Sequence, residues 1–201
     1  MINIFLSASI PLPDRNPMFI ETADVVLIRD AIKSLVSIVV PKGNIIFGGH
    51  PAITPLVAHL LKQMDSEYAH RVILYQSMYF QADFIKENDK FIELRFIDVV
   101  DGSRSKSLNL MREKMLNDTR FDAGVFIGGM EGVKDECFSF REAHPNALLY
   151  PVASTGAAAL EIYNELHNDS PYLLNELSYP VLFRDMVKKI EDSFNSIVGE
   201  I

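Results

Sequence analysis

Short apolar runs alternate along this chain with longer stretches whose apolar residues recur every three or four positions. Runs at Asn3–Ala8, Ile45–Phe47, Arg71–Gln76, Phe91–Val99, Ala123–Ile127 and Ala147–Tyr150 read as buried strands, short and rich in strand formers. Between them, Val25, Ile28, Ile32, Leu35 and Val39 mark one face of a helix from Thr22 to about Val39. Leu56, Leu60 and Leu61 mark a second, from Pro55 to about Met64. Further helices are expected over Tyr79–Lys86, Lys106–Leu116, Val133–Glu142 and onward from Gly156, with Asp101-Gly102-Ser103 as a capping turn before Lys106. A last amphipathic helix, Pro180–Ile197, carries Leu182, Met186, Ile190, Phe194 and Ile197 on one stripe, as core cover or part of a dimer interface. Pro11, Pro13 and Pro17 leave Ile10–Met18 as a loop. Strands alternating with helices, with no repeat or linker, predict one α/β domain over residues 1–201. Its mostly parallel central sheet is flanked by helices on both faces.

In such sheets ligands bind beyond the carboxyl ends of the strands, and the polar clusters fall at those ends. Ile45-Ile46-Phe47 runs into Gly48-Gly49-His50-Pro51, with Thr54 placed to cap the next helix and Pro55 suited to its first position. Val125-Phe126-Ile127 runs likewise into Gly128-Gly129-Met130-Glu131-Gly132. A strand turning through glycine into a helix start aims backbone N–H groups at one spot, which suits a phosphate. A single glycine pair is equally a tight turn, and it is the repetition that favours a cradle. His50 can stack on a base, touch a phosphate or merely fill the turn. Glu131 and Glu136 can hold a ribose hydroxyl, serve as general acid or base at an N-glycosidic bond, or only stabilise the first helical turn. Ser154-Thr155-Gly156 offers hydroxyl and N–H donors, or a helix cap. Ser7 and Ser9 end the first strand, and Gln76-Ser77 can line the cleft floor. Arg15, in the proline loop, is the cation best placed to balance an anion, whereas Arg104 and Lys106 read as solvated surface.

The formal net charge of -8 argues against broad nucleic-acid or anionic-membrane binding, so an anionic ligand must be held by specific groups. Cys137 is the one cysteine, which excludes an internal disulfide, and it reads as a packed free thiol. His59, His70, His144 and His167 lack metal-ligand spacing, so neither a metal nor another cofactor is expected. No apolar run approaches a membrane span, and Met1–Leu6 lacks the features of a signal peptide, so a cytoplasmic location is expected.

Taken in order, Phe5-Leu6-Ser7-Ala8-Ser9-Ile10-Pro11, Gly48-Gly49-His50-Pro51-Ala52-Ile53, Tyr75-Gln76-Ser77, Ile127-Gly128-Gly129-Met130-Glu131-Gly132 and Ala153-Ser154-Thr155-Gly156 resemble the SLOG superfamily, the Smf/DprA and LOG group. The branch they most resemble is the TIR- and Sir2-associated domains of bacterial conflict systems. The resemblance implies a Rossmann-like three-layer sandwich with a nucleotide-derived ligand over the glycine turns. In the Thoeris antiphage effector a similar domain senses a cyclic ADP-ribose signal made by a TIR enzyme. By that analogy the chain is a sensor that passes its signal to a TIR or other effector protein, or to another copy in a homo-oligomer. The LOG branch instead comprises phosphoribohydrolases marked by P-G-G-x-G-T-x-x-E, with a catalytic glutamate and arginine. Here Gly128-Gly129-Met130-Glu131-Gly132-Val133-Lys134-Asp135-Glu136 lacks the leading proline, has an extra residue between the glycines and puts valine for threonine. Glu136 is the position that matches the glutamate, and no arginine is identifiable from the sequence. These departures favour sensing over N-glycosidic bond cleavage by a phosphoribohydrolase or deoxyribosyltransferase-like enzyme.

Overall fold

The computed structural model describes residues 1–168 and 170–198, the last three as backbone alone. Six strands form one sheet: β1 (Ile2–Ser9), β2 (Gly43–Gly48), β3 (Val72–Ser77), β4 (Glu93–Ile97), β5 (Ala123–Gly128) and β6 (Leu148–Val152). Their order is β4-β3-β2-β1-β5-β6, and all five pairings are parallel. The order reverses between β1 and β5, so the crevice at their carboxyl ends is the topological switch point of the sheet. In register, Ser7 lies beside Phe126 and Ser9 beside Gly128, while Leu6 lies beside Phe47, one residue before Gly48. The ends of β1, β2 and β5 therefore meet in one row.

Helices cover both faces, as the alternating pattern requires. On one side α2 (Val25–Val39), α3 (Thr54–Lys62), α7 (Pro171–Asn175) and α8 (Tyr179–Val198) bury Ile28, Ile32, Leu35, Val57, Leu173, Phe183 and Met186 against β-strand residues such as Ile4, Ile45 and Val125. On the other side α1 (Pro17–Thr22), α4 (Arg104–Asn117) and α5 (Glu131–Ala143) bury Phe19, Met111, Met115, Cys137 and Phe140 against Phe5, Ile46, Tyr75 and Phe126. Each fully buried aliphatic or aromatic side chain contributes about 1.5–3 kcal/mol relative to exposure. Phe140 stacks on Phe5 with ring centroids 5.2 Å apart and also meets Phe121, Phe126 and His144. The packed side is therefore aromatic beneath α5. α6 (Ala157–Glu165) closes the β6 side and contributes to both clusters.

Local chemistry moves several boundaries. The proline loop contains a helical turn, because Pro17 occupies the first turn of α1 and the Asn16 side chain accepts from Met18 N–H. Thr22 ends that turn. α2 starts at Val25, with Asp24 Oδ1 accepting from Val26 and Leu27 N–H at 2.9 and 3.0 Å. Thr54 does not cap α3: its hydroxyl accepts from His50 N–H at 3.0 Å, turning back onto the glycine loop. Tyr79–Lys86 is not an α-helix but a 3-10 turn over Met78–Asp83 and the start of another over Lys86–Lys90, since Phe84 leaves the helical region between them. Ser103 caps α4 as expected, accepting from Lys106 N–H. On α8, Leu182, Met186 and Ile190 are buried and Phe194 is partly exposed, while the Ile197 side chain lies outside the described residues.

One backbone position constrains how α6 meets α1. Gly156 has φ +72 and ψ -158, a region open essentially to glycine, and a Cβ there would lie 1.8 Å from Thr22 O. Gly102 also has positive φ but faces open space. Gly156→Ala should cost about 3 kcal/mol or more in urea unfolding, whereas Gly102→Ala should cost about 1 kcal/mol. Equal effects would mean that the Gly156 turn is not held against α1.

Candidate functional site

The switch-point crevice is built from two glycine turns that converge over β1. In the second turn Gly128, at φ +56, leaves β5, and Gly129 N–H donates to Ser9 O at 2.8 Å. Thr155 Oγ1 accepts from Gly128 N–H at 2.9 Å and donates to Val152 O at 2.6 Å, so a buried hydroxyl ties β6 to the turn. α5 then begins at Glu131 with Met130 in the cap position; the Met130 side chain makes no cap hydrogen bond, and the Glu131 carboxylate meets its own backbone N–H. Val133 N–H donates to Met130 O at 2.9 Å, and this end of the helix carries the partial positive charge that favours an anion. In the first turn Gly49 N–H donates to Tyr75 O at 2.9 Å, and α3 likewise has no side-chain cap on its helical N–H groups.

The loop after β1 connects the two turns electrically. Asn16 Nδ2 donates to Glu131 Oε1 at 2.7 Å, bringing the loop down onto α5. That amide, then the backbone N–H at the helix start and the charge of Arg15, lower the Glu131 carboxyl below its ordinary value. Arg15 also acts on His50 across the crevice: burial first, then the Arg15 charge, lowers the His50 ring to about 4. His50 Nδ1 accepts from Ala52 N–H at 3.2 Å, so the neutral ring carries its proton on Nε2 as a donor. Arg15 is thus an exposed cation whose charge reaches His50 in the first glycine turn and Glu131 beside the second.

Glu136 lies one turn below the start of α5. Its Oε2 accepts from Ser7 Oγ at 2.6 Å, and its Oε1 accepts from Arg112 Nε at 3.2 Å. Arg112 comes from α4, and its guanidinium also reaches Asp135 Oδ2 at 3.7 Å and Gly132 O at 3.5 Å. The Arg112 and Glu136 side chains are 16% and 18% exposed, so the pair is shielded yet open at one edge. Each carboxylate oxygen retains a lone pair for a further hydroxyl. Below the pair, an open groove of about 730 Å³ runs between α4 and α5, lined by Arg112, Asp135, Asn109, Phe138 and Glu142 among others. Arg112 is the residue that sequence reasoning missed. It stands on a helix of weak amphipathic pattern, 24 positions before Glu136, and no local motif announces it.

Other candidates are placed differently. Gly48 faces α4, where a Cβ would meet Met111 Cε at 3.2 Å. A Cβ on Gly49 would lie 2.0 Å from Gln76 Nε2, so Gln76 fills the space beneath that turn and donates to Asn88 Oδ1 at 3.2 Å. Ser77 accepts from Tyr79 N–H and starts the first 3-10 turn. Pro51 is exposed at the rim and Met130 is buried. Ser154 points toward α8, its Oγ 3.2 Å from the Tyr179 hydroxyl, whereas Thr155 and Gly156 shape the turn from beneath. The structure therefore brings Ser7, Arg15, His50, Gly128, Gly129, Glu131, Gly132 and Glu136 toward one crevice, with Ser9 holding its backbone. Arg104 lies over Phe80 at 5.8 Å and Lys106 pairs with Asp101 at 2.6 Å. Cys137 is buried on the inner face of α5, and that burial pushes its thiol up to about 12.

A Rossmann-like α/β sandwich with a glycine-lined crevice at its switch point is the class that fold and site define. The model of the SLOG cluster3 family matches residues 18–187, and the chain belongs to that family. Membership supports a nucleotide-related ligand-binding or N-glycosidic domain. Neither the curated proteins nor the solved structures gave a match. No helix among the described residues is long and apolar enough to cross a membrane.

The state of His50 has a measurable consequence. Its folded pKa is depressed, so between about pH 6.5 and about pH 4 the unfolded chain binds a proton that the folded chain refuses. The stability present above the unfolded value is lost as pH falls through that window. His50→Gln should flatten this part of the stability profile in urea unfolding at stepped pH. An unchanged slope would place the acid sensitivity elsewhere.

Proposed function

We propose that the chain is a binding domain for a nucleotide-derived ligand, a cyclic ADP-ribose-like or other NAD-derived signal, rather than an enzyme. The observation that carries this reading is that the α5 start, with no cap from Met130, lies at the switch point within reach of the Arg15 charge, which acts on both Glu131 and His50. Helix-start N–H groups and Arg15 would hold phosphate, the His50 Nε2–H would donate to phosphate or base, and Glu136 would accept from a ribose hydroxyl. A role in bacterial antiphage defence, with a TIR or other effector protein receiving the signal, is the finer reading that the TIR-associated branch suggests. Homo-oligomerisation and a cytoplasmic setting belong to that same reading.

A second reading has a specific observation in its favour. The phosphoribohydrolase branch uses a glutamate with an arginine, and Arg112 beside Glu136 supplies such a partner. In that case the carboxylate would serve the reacting ribose and the guanidinium would hold it in place.

Calorimetric titration with cyclic ADP-ribose isomers, ADP-ribose, NAD and AMP, each mixture then resolved by chromatography, separates the two. The binding reading expects saturable heat with intact ligand. Release of a free base supports the enzyme, and Glu136→Gln should then abolish turnover. Arg15→Gln should weaken affinity for the ligand that binds by about tenfold to a hundredfold without altering the melting curve. Unchanged affinity would remove Arg15 from the site.

A further inference from the structure

We propose that β4 is a docking edge for a second copy of this chain, joining two six-stranded sheets through an antiparallel β4–β4 pair about a two-fold axis at Leu94. Among the described residues β4 pairs with β3 alone, so its outer edge ends the sheet. That edge is apolar for an unpartnered strand: Ile92 is 57% exposed and Phe96 is 52% exposed. Phe84, from the segment before β4, stacks on Phe96 at 5.6 Å and widens the patch.

The sequence of the edge is what commits it to a copy of itself. Lys90-Phe91-Ile92-Glu93-Leu94-Arg95-Phe96-Ile97-Asp98 is a chemical palindrome with its charges inverted about Leu94. Antiparallel pairing centred there sets Leu94 against Leu94, Glu93 against Arg95, Ile92 against Phe96, Phe91 against Ile97 and Lys90 against Asp98. A two-fold axis perpendicular to the sheet keeps each side chain on its own face, so opposed residues must differ by an even number. Sliding by one such step puts Glu93 on Glu93 or Arg95 on Arg95, which is repulsive. Parallel pairing in register stacks like on like. Charges on an edge strand normally discourage pairing, but here their spacing selects one partner, one direction and one register.

In the free chain both charges lean inward toward β3, and pairing would turn them to the outer edge. Glu93 Oε1 meets His70 Nδ1 at 3.3 Å. Arg95 Nη1 donates to the Tyr75 hydroxyl at 2.7 Å and to Asp118 Oδ2 at 3.5 Å, so its other N–H groups remain to meet a facing carboxylate. Their side chains are 39% and 42% exposed. Backbone hydrogen bonds along the edge supply the general attraction of strand addition, and the apolar face buries Ile92, Leu94 and Phe96 with their mates.

Sedimentation velocity across a wide concentration range tests the pairing. The wild-type chain should dimerise. Glu93→Arg and Arg95→Glu should each weaken self-association by about tenfold or more, since the symmetry turns two attractive pairs into two repulsive ones. Mixing the two single variants should restore dimers, because every facing pair is again opposite in sign. A monomeric wild type, single variants that associate like wild type, or a mixture that stays monomeric would each overturn the proposal. Should Arg95→Glu fail to fold, Leu94→Cys gives an independent reading: mild oxidation should link two copies at the axis, with Cys137 too buried to compete. Absence of that link overturns the pairing as well.

Discussion

A single buried hydroxyl holds the site together. Thr155 lies beyond the end of β6, bonds back to Val152 O, and accepts the N–H of Gly128 at the end of β5. Without that acceptor Gly128 N–H would be a buried donor lacking a partner, which costs about 1–3 kcal/mol. With it, the chain leaves β5 at positive φ and α5 starts directly over the end of β1. The adjoining Gly156 turn is locked against Thr22, and Thr22 Oγ1 accepts from Ala157 N–H at 2.9 Å. Thr155 and Gly156 thus set the position of groups that face the crevice, and they do so from beneath it.

That arrangement explains how much the sequence disclosed. Parallel α/β architecture was legible because β2 and β5 are apolar runs ended by glycine, and α2 and α8 carry clear stripes. Glycine ends and polar clusters also located the carboxyl edge. What escaped was long-range. Arg112 reaches Glu136 only because α4 and α5 lie side by side, and no spacing rule spans two helices and a strand. The segment after β3 escaped for a related reason: Tyr79–Lys86 reads as one helix, but Phe84 leaves the helical region and stacks on Phe96 of β4. Thr54 has the right identity for a cap and sits next to Pro55, yet its hydroxyl is spent on His50 N–H.

The two faces of the sheet divide the labour. Aliphatic side chains from α2 and α8 fill one side, while Ser7, Glu136 and Arg112 lie on the other, above the aromatic cluster of Phe5, Phe126 and Phe140. Interiors pack like organic crystals, so this aromatic floor gives the carboxylate a rigid base with little room to shift. The edge at β4 is separate again, at the far end of the sheet from β6.

The neutral ring of His50 makes the crevice a place where two ligands compete or cooperate. Burial accounts for most of its reluctance to take a proton, and Arg15 accounts for the rest. An anion seated beside Arg15 would cancel that second share and raise the ring's affinity for a proton. By reciprocity the proton would then raise affinity for the anion. At a pH near the ring's own value of about 4, association would be accompanied by net proton uptake, visible as a binding heat that changes with the ionisation enthalpy of the buffer.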